Sequence, residues 1–197
     1  WVGLTEQEID EIEIKYGIKF TKFHREFLKI LHTIDRKRKY EGWDEEGNSL
    51  ISETPFFYNW LEDEIEINNY LNWPKECLLD DVLSDHIWLK SWGEKPNSKE
   101  EKESIFKNWI KKAPKLVPIS GIRFVISEPN NSDNPVLSIW GEDTIIYGGN
   151  MRHYLINELS EELDLMQLEY EEEGSDEYSI EHSKELDEIN EYEFNLI

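Results

Sequence analysis

The chain has 197 residues, 38% hydrophobic and 13% aromatic, enough for one substantial core or for one domain with an appendage. Its net charge of −23 repels nucleic acid and anionic membranes and attracts cationic partners. A single cysteine, Cys77, excludes an internal disulfide and a multi-cysteine zinc site. No apolar run reaches the ~20 residues of a membrane span, and no export signal opens the sequence, so the expected compartment is the cytoplasm. The charge is uneven. Residues 155–197 hold 16 of the 44 acids and one base, Lys184, and so carry about −15 of the total.

In chain order, the first signal is a helix entry. Leu4-Thr5-Glu6-Gln7-Glu8-Ile9 sets Thr5 as N-cap with Glu8 closing a capping box, and Leu4 and Ile9 stand where a hydrophobic staple needs them. Ile12 and Tyr16 continue the apolar stripe to Gly17, a fitting left-handed terminator. Thr21 opens a second helix with Phe23, Phe27, Leu28, Ile30 and Leu31 facing inward. Residues 40–54, broken by Gly42, Gly47 and Asn48, read as a loop with at most a short strand. Residues 56–71 have helical spacing, with Phe57, Trp60, Leu61, Ile65 and Tyr70 as core positions, and Trp73-Pro74 is the expected stop. A further helix is expected over residues 100–112.

After Pro114 the pattern changes to short β-branched segments: KLVPIS, IRFVIS, PVLSIW and TIIYG. Helical spacing returns over residues 151–163. Helices, then close-spaced strands, then a helix predict an α+β fold, with an antiparallel-rich sheet of four to six strands flanked by helices. The acidic tail is punctuated by Tyr170, Tyr178, Ile180, Leu186, Ile189, Tyr192 and Phe194. It is expected to pack, either on the domain or on a partner.

Chemical motifs are sparse. Gly148-Gly149 precedes a helix, but Asn150-Met151-Arg152 offers neither the lysine nor the hydroxyl of a phosphate loop. The glycines read as scaffold, permitting positive φ or close approach, with Asn150 as N-cap. His24, His32, His86, His153 and His182 are scattered, without metal-ligand spacing, and read as surface histidines. Cys77 sits among acids that raise a thiol pKa, which argues against a nucleophile. Asp80-Asp81, Glu142-Asp143 and Glu171-Glu172-Glu173 lack an EF-hand spacing. Asp143 is placed to cap the turn formed by Trp140, Gly141 and Glu142. No catalytic, metal or cofactor residues are assigned.

Five blocks in order carry a resemblance: GLTEQEIDEIEIKYGIKFTKFHREFLKIL, NWPKECLLDDV, IWLKSWGEKP, APKLVPISGIRF and NPVLSIWGEDTIIYGGNMRHYLINEL. Together they resemble the SUKH superfamily, in the branch of Smi/Knr-like domains named for fungal cell-wall assembly and killer-toxin-resistance regulators. Thr21 stands where the family usually has a proline, Ile122 where a histidine often precedes the arginine, and Trp140-Gly141-Glu142 replaces the usual polar turn. The resemblance implies a non-catalytic domain over residues 1–163, with residues 164–197 as an acidic extension outside it. It further implies an immunity protein that neutralises a cognate toxin of a bacterial polymorphic-toxin system by stoichiometric occlusion. The alternative it offers is a regulatory or scaffold module.

The implied partner is a basic toxin, with a nuclease as the first expectation, and an acidic blocker would occupy its cleft. No nucleic-acid or membrane partner is expected. The acids expected to face it are Asp44, Glu45 and Glu46, then Glu62, Asp63 and Glu64, then Glu171, Glu172, Glu173, Asp176 and Glu177. Tyr170 and Tyr178 are the expected anchors, since interface energy concentrates in such side chains.

Overall fold

A computed structural model of the protein describes residues 2–32, 37–43, 47–127, 134–160, 166–170, 178–182 and 184. The first helix, α1 (Glu6–Tyr16), is closed by the complete Thr5/Glu8 capping box and ends at Gly17 with φ 61°. In α2 (Lys22–Ile30) the Thr21 hydroxyl accepts from the His24 N–H. Both helices are therefore fixed by local chemistry at their starts.

Residues 40–54 depart from the expected loop. β1 (Lys37–Trp43) and β2 (Ser49–Pro55) form an antiparallel hairpin registered from Lys37 opposite Pro55 to Trp43 opposite Ser49. Neither strand alternates cleanly, and each finds in the other the partner that its own pattern does not announce.

The next departure is larger. Residues 56–63 are not helical, and α3 runs from Glu64 to Leu83 straight through Pro74. Phe56, Phe57, Tyr58 and Trp60 are all buried, which one face of a helix could not achieve for near-consecutive residues. Long-range bonds hold the segment instead. Ser120 Oγ donates to the Phe56 carbonyl (2.6 Å), the Trp60 N–H donates to His32 Nε2 (2.9 Å), and Tyr58 Oη donates to the Gly121 carbonyl (3.1 Å). Pro74 forfeits a helical hydrogen bond at a cost of about 3 kcal/mol. Packing offsets it: Pro74 is itself buried, and the adjacent Trp73 ring meets Trp140 at 5.2 Å and Tyr70 at 6.1 Å.

A 3₁₀ turn (Lys90–Trp92) and α4 (Lys99–Ile110) follow. β3 (Leu116–Ser120), β4 (Arg123–Ile126), β5 (Val136–Trp140) and β6 (Asp143–Gly148) then make an antiparallel sheet in sequence order. Pro118 is tolerated because β3 is an edge strand. On one face, Val117, Ile119, Val125 and Val136 join Ile9, Phe20, Leu28, Phe57, Met151 and Tyr154 in the main core. The opposite face, with Leu116, Ile126, Leu137 and Ile139, looks towards Leu71, Pro74 and Leu78 of α3 across an open cleft.

α5 (Met151–Glu158) begins as expected, with the Asn150 side chain accepting from the His153 N–H at 2.8 Å. Gly148 is required for close approach rather than for positive φ, since a Cβ there would stand 2.8 Å from the Tyr154 Cβ. β7 (Met166–Tyr170) and β8 (Tyr178–His182) form a second hairpin in the acidic tail. The protein is thus α+β, its four-stranded antiparallel sheet flanked by helices. Among the described residues no helix is long and apolar enough to cross a membrane.

Candidate partner-binding surface

The shift of the α3 start from Phe56 to Glu64 changes what its first turn presents. Leu61 and Ile65, expected in the core, are 50% and 76% exposed. They stand among Glu62, Asp63, Glu64 and Glu66, beside a shallow depression lined by this same stretch. A tight local network fixes the patch. The Asn59 N–H donates to Asp63 Oδ2 (2.8 Å), the Leu61 N–H donates to Asn59 Oδ1 (3.1 Å), and Asn59 Nδ2 donates to Glu62 Oε2 (3.2 Å). Lys15 on α1 pairs with Glu64 at 2.7 Å, with both side chains substantially exposed. Such a pair is worth about 0–1 kcal/mol and exchanges readily for another cation.

The three expected acids therefore do different things. Asp63 is committed to the turn and Glu62 partly so, while Glu64 holds an exchangeable partner. Glu66, absent from the expected set, completes the patch and is exposed. Ile67 one position later is fully buried, so α3 turns Ile65 and Glu66 outward, beside Leu61 exposed in the turn that precedes it.

Asp44, Glu45 and Glu46 lie outside the described residues. Their flanks are described: Trp43 is 77% exposed, and Leu50 and Ile51 across the hairpin are exposed as well. Glu171, Glu172, Glu173, Asp176 and Glu177 also lie outside the described residues. Tyr170 and Tyr178, the expected anchors, are direct register partners at the end of the β7–β8 pair that the acidic stretch connects. Directly opposite residues share a face of a two-stranded sheet, so the backbone brings the two tyrosine positions together.

Three histidines correct the surface reading, while His86 is exposed as expected. His24, His32 and His153 are buried. His24 stacks edge-on against Phe20 at 4.7 Å, and burial pushes its pKa down to about 3. His32, also pushed down by burial, accepts from the Trp60 N–H. His153 Nδ1 accepts from the Gly149 N–H at 3.1 Å, closing the two-glycine turn. These imidazoles are frame. Cys77 has its pKa raised, first by burial and then by the charges of Asp80, Asp81 and Glu76.

The turn of residues 140–142 is capped by Asp81 rather than by Asp143. The Glu142 N–H donates to Asp81 Oδ2 at 2.8 Å, and that carboxylate fills the space a Cβ on Gly141 would need. Among the described residues, no group of three or more His, Cys, Asp or Glu side chains is placed to hold a metal ion.

The geometry sets acids, which can attract a cation at long range, beside exposed apolar side chains that can make contact. No protein-family model matches the chain, and neither the curated proteins nor the solved structures show a significant match to it.

Proposed function

We propose that the protein is a cytoplasmic immunity protein of the SUKH type, which binds a cognate basic toxin and neutralises it by stoichiometric occlusion, without catalysis. A nuclease fits best, because a cleft built to hold phosphates presents the positive field that a −23 chain complements. The observation that carries the reading is the exposure of Leu61 and Ile65 inside the acidic start of α3. Solvated acids alone would serve solubility, whereas apolar side chains held rigidly among them supply contact energy after charge has brought the partner close. Exposed Trp43 likewise adjoins Asp44, Glu45 and Glu46 in sequence, and the backbone positions of Tyr170 and Tyr178 pair at the ends of the acidic stretch 171–177. On this reading residues 1–163 form the Smi/Knr-like domain, and residues 164–197 extend its acidic surface.

The test is co-expression with the toxin encoded beside this reading frame. Growth rescue and a one-to-one complex on size-exclusion chromatography are expected. Neither rescue nor complex would remove the reading and favour the regulatory-module alternative.

A further inference from the structure

One large feature of the fold plays no part in that surface. Between α3, the connection from α4 to β3, and the sheet face opposite the main core lies a cleft of about 390 Å³. Protein interiors ordinarily close such gaps to crystal-like density, and ligand sites fall in the range of about 300–1,000 Å³. Leu71, Leu78, Leu116, Ile126 and Leu137 line it and are left half-buried, with Ile139 at its floor.

The charged side chains that line it, Lys75 and Lys115, are both cationic, against the sign of the chain as a whole. Residues 104–127 contain Lys107, Lys111, Lys112, Lys115 and Arg123 and no acid, in a protein of net charge −23. From this segment Ile110, Ala113, Pro114 and Lys115 contribute to the cleft, and Lys75 of α3 joins them. Both lysines are exposed. The Lys115 ammonium donates to the Gly17 carbonyl, which anchors it at the rim. Among the described residues Lys75 has no ion-pair partner. Asp81, which reaches Gly141 at the cleft wall, is engaged by the Glu142 N–H.

We propose that this cleft binds an amphipathic monocarboxylate of the medium-chain fatty-acid class, with its carboxylate held by Lys75 and Lys115 and its hydrocarbon chain laid along Leu71, Leu78, Leu137 and Ile139. An apolar lining selects the chain, and two ammonium groups select the head. A basic protein partner would be repelled here, so this site is independent of the acidic patch at the start of α3.

The experiment is isothermal titration calorimetry of the full chain with dodecanoate below its micelle concentration, alongside dodecanol and dodecyltrimethylammonium. Saturable one-to-one binding of dodecanoate is expected, at least about tenfold tighter than either analogue. Exchanging one rim ammonium for a carboxylate in Lys75→Glu is expected to weaken dodecanoate about tenfold while leaving dodecanol unchanged, as loss of a charge-assisted contact would. Leu78→Trp, which fills the cleft, is expected to abolish binding of all three. Ala113→Trp at the exposed rim makes the same test should the interior substitution unfold the chain. Absence of saturable dodecanoate binding, equal affinity for the three probes, or indifference to both tryptophan substitutions would overturn the proposal.

Discussion

Two acidic regions of the molecule put the same residue types to opposite uses. At the α1–α2 junction, Arg25 bonds Glu6 (2.6 Å) and Asp10 (2.8 Å) and pairs with Glu13 (3.1 Å), while Lys29 pairs with Glu6 and with Glu26. Glu13 is buried, takes a second cation in Lys19 at 2.5 Å, and accepts the Phe20 N–H at 2.9 Å. Every acid there is answered from within the chain. At the start of α3, by contrast, Glu62 and Glu66 meet no cation among the described residues, and Glu64 meets the exposed Lys15. Counting acids does not reveal binding capacity. What matters is whether the fold has already matched them.

The largest effect that would break this comparison is a substitution on the matched side. Glu13→Ala leaves Arg25 short of a carboxylate and strands the Phe20 N–H in the interior. Removing one partner of a buried pair costs about 3–5 kcal/mol, read as a fall in the denaturant midpoint. Glu66→Ala on the unmatched side is expected to stay within about 0.5 kcal/mol. Equal effects at the two positions would erase the distinction.

Next in size is the acid limb of stability, which belongs to the same α1–α2 region. The folded pKa of His24 lies near 3 because of burial, against 6.5 for the free side chain. The unfolded chain therefore binds more protons between those values. Its contribution is complete above about pH 6.5 and is lost as pH falls, by up to about 1.4 kcal/mol per unit. His24 Nδ1 has no hydrogen-bond partner among the described residues, so His24→Leu forfeits no bond. The variant is expected to match the parent at pH 7 and to show a flatter loss of stability between pH 6.5 and 4.5 in chemical denaturation. A parallel acid limb in both proteins would refute the assignment.

How far these regions were legible in the sequence follows from how local their causes are. Thr5, Glu8, Gly17, Thr21 and Asn150 act within a few residues of themselves, and each cap stands where the spacing places it. The strands after Pro114 are equally legible, because β-branched runs between turn residues need little context. Residues 56–71 misled because what decides them is remote. His32, Ser120 and Gly121 lie far along the chain, and together they hold a buried aromatic plug that has helical spacing. Helical spacing therefore points Leu61 and Ile65 to the core, and the patch they form shows in the sequence only as charge. Burial of His24 and His153 depends on tertiary packing in the same way, and the apolar cleft left no trace in the order of residues at all.

A smaller effect sharpens the comparison at the contact level. Leu61→Ala with Ile65→Ala removes apolar side chains that face solvent, so folding stability is expected to change by less than about 0.5 kcal/mol. For the proposed toxin complex, the expected loss of affinity is about 2 kcal/mol for the pair, the scale of an interface hot spot. Surface plasmon resonance locates that loss mainly in the dissociation rate. Undiminished affinity would move the interface away from the start of α3.

The smallest expected effect separates attraction from contact. Glu66→Gln removes one unmatched charge without altering shape, and Asp10→Asn removes one that Arg25 already answers. Rim charges act chiefly through the encounter rate and its salt dependence. Glu66→Gln is therefore expected to slow association with the proposed toxin partner by a few-fold (roughly two to five) at low ionic strength. At physiological salt, where the Debye length is about 8 Å, the difference should shrink towards zero. Asp10→Asn changes net charge equally but lies in a matched cluster, so its association rate should stay within about twofold of the parent at every salt concentration. Stopped-flow association measured across a salt series distinguishes the two. If both substitutions slow association alike, total charge rather than the unmatched patch steers the partner, and the division between the two acidic regions loses its functional meaning.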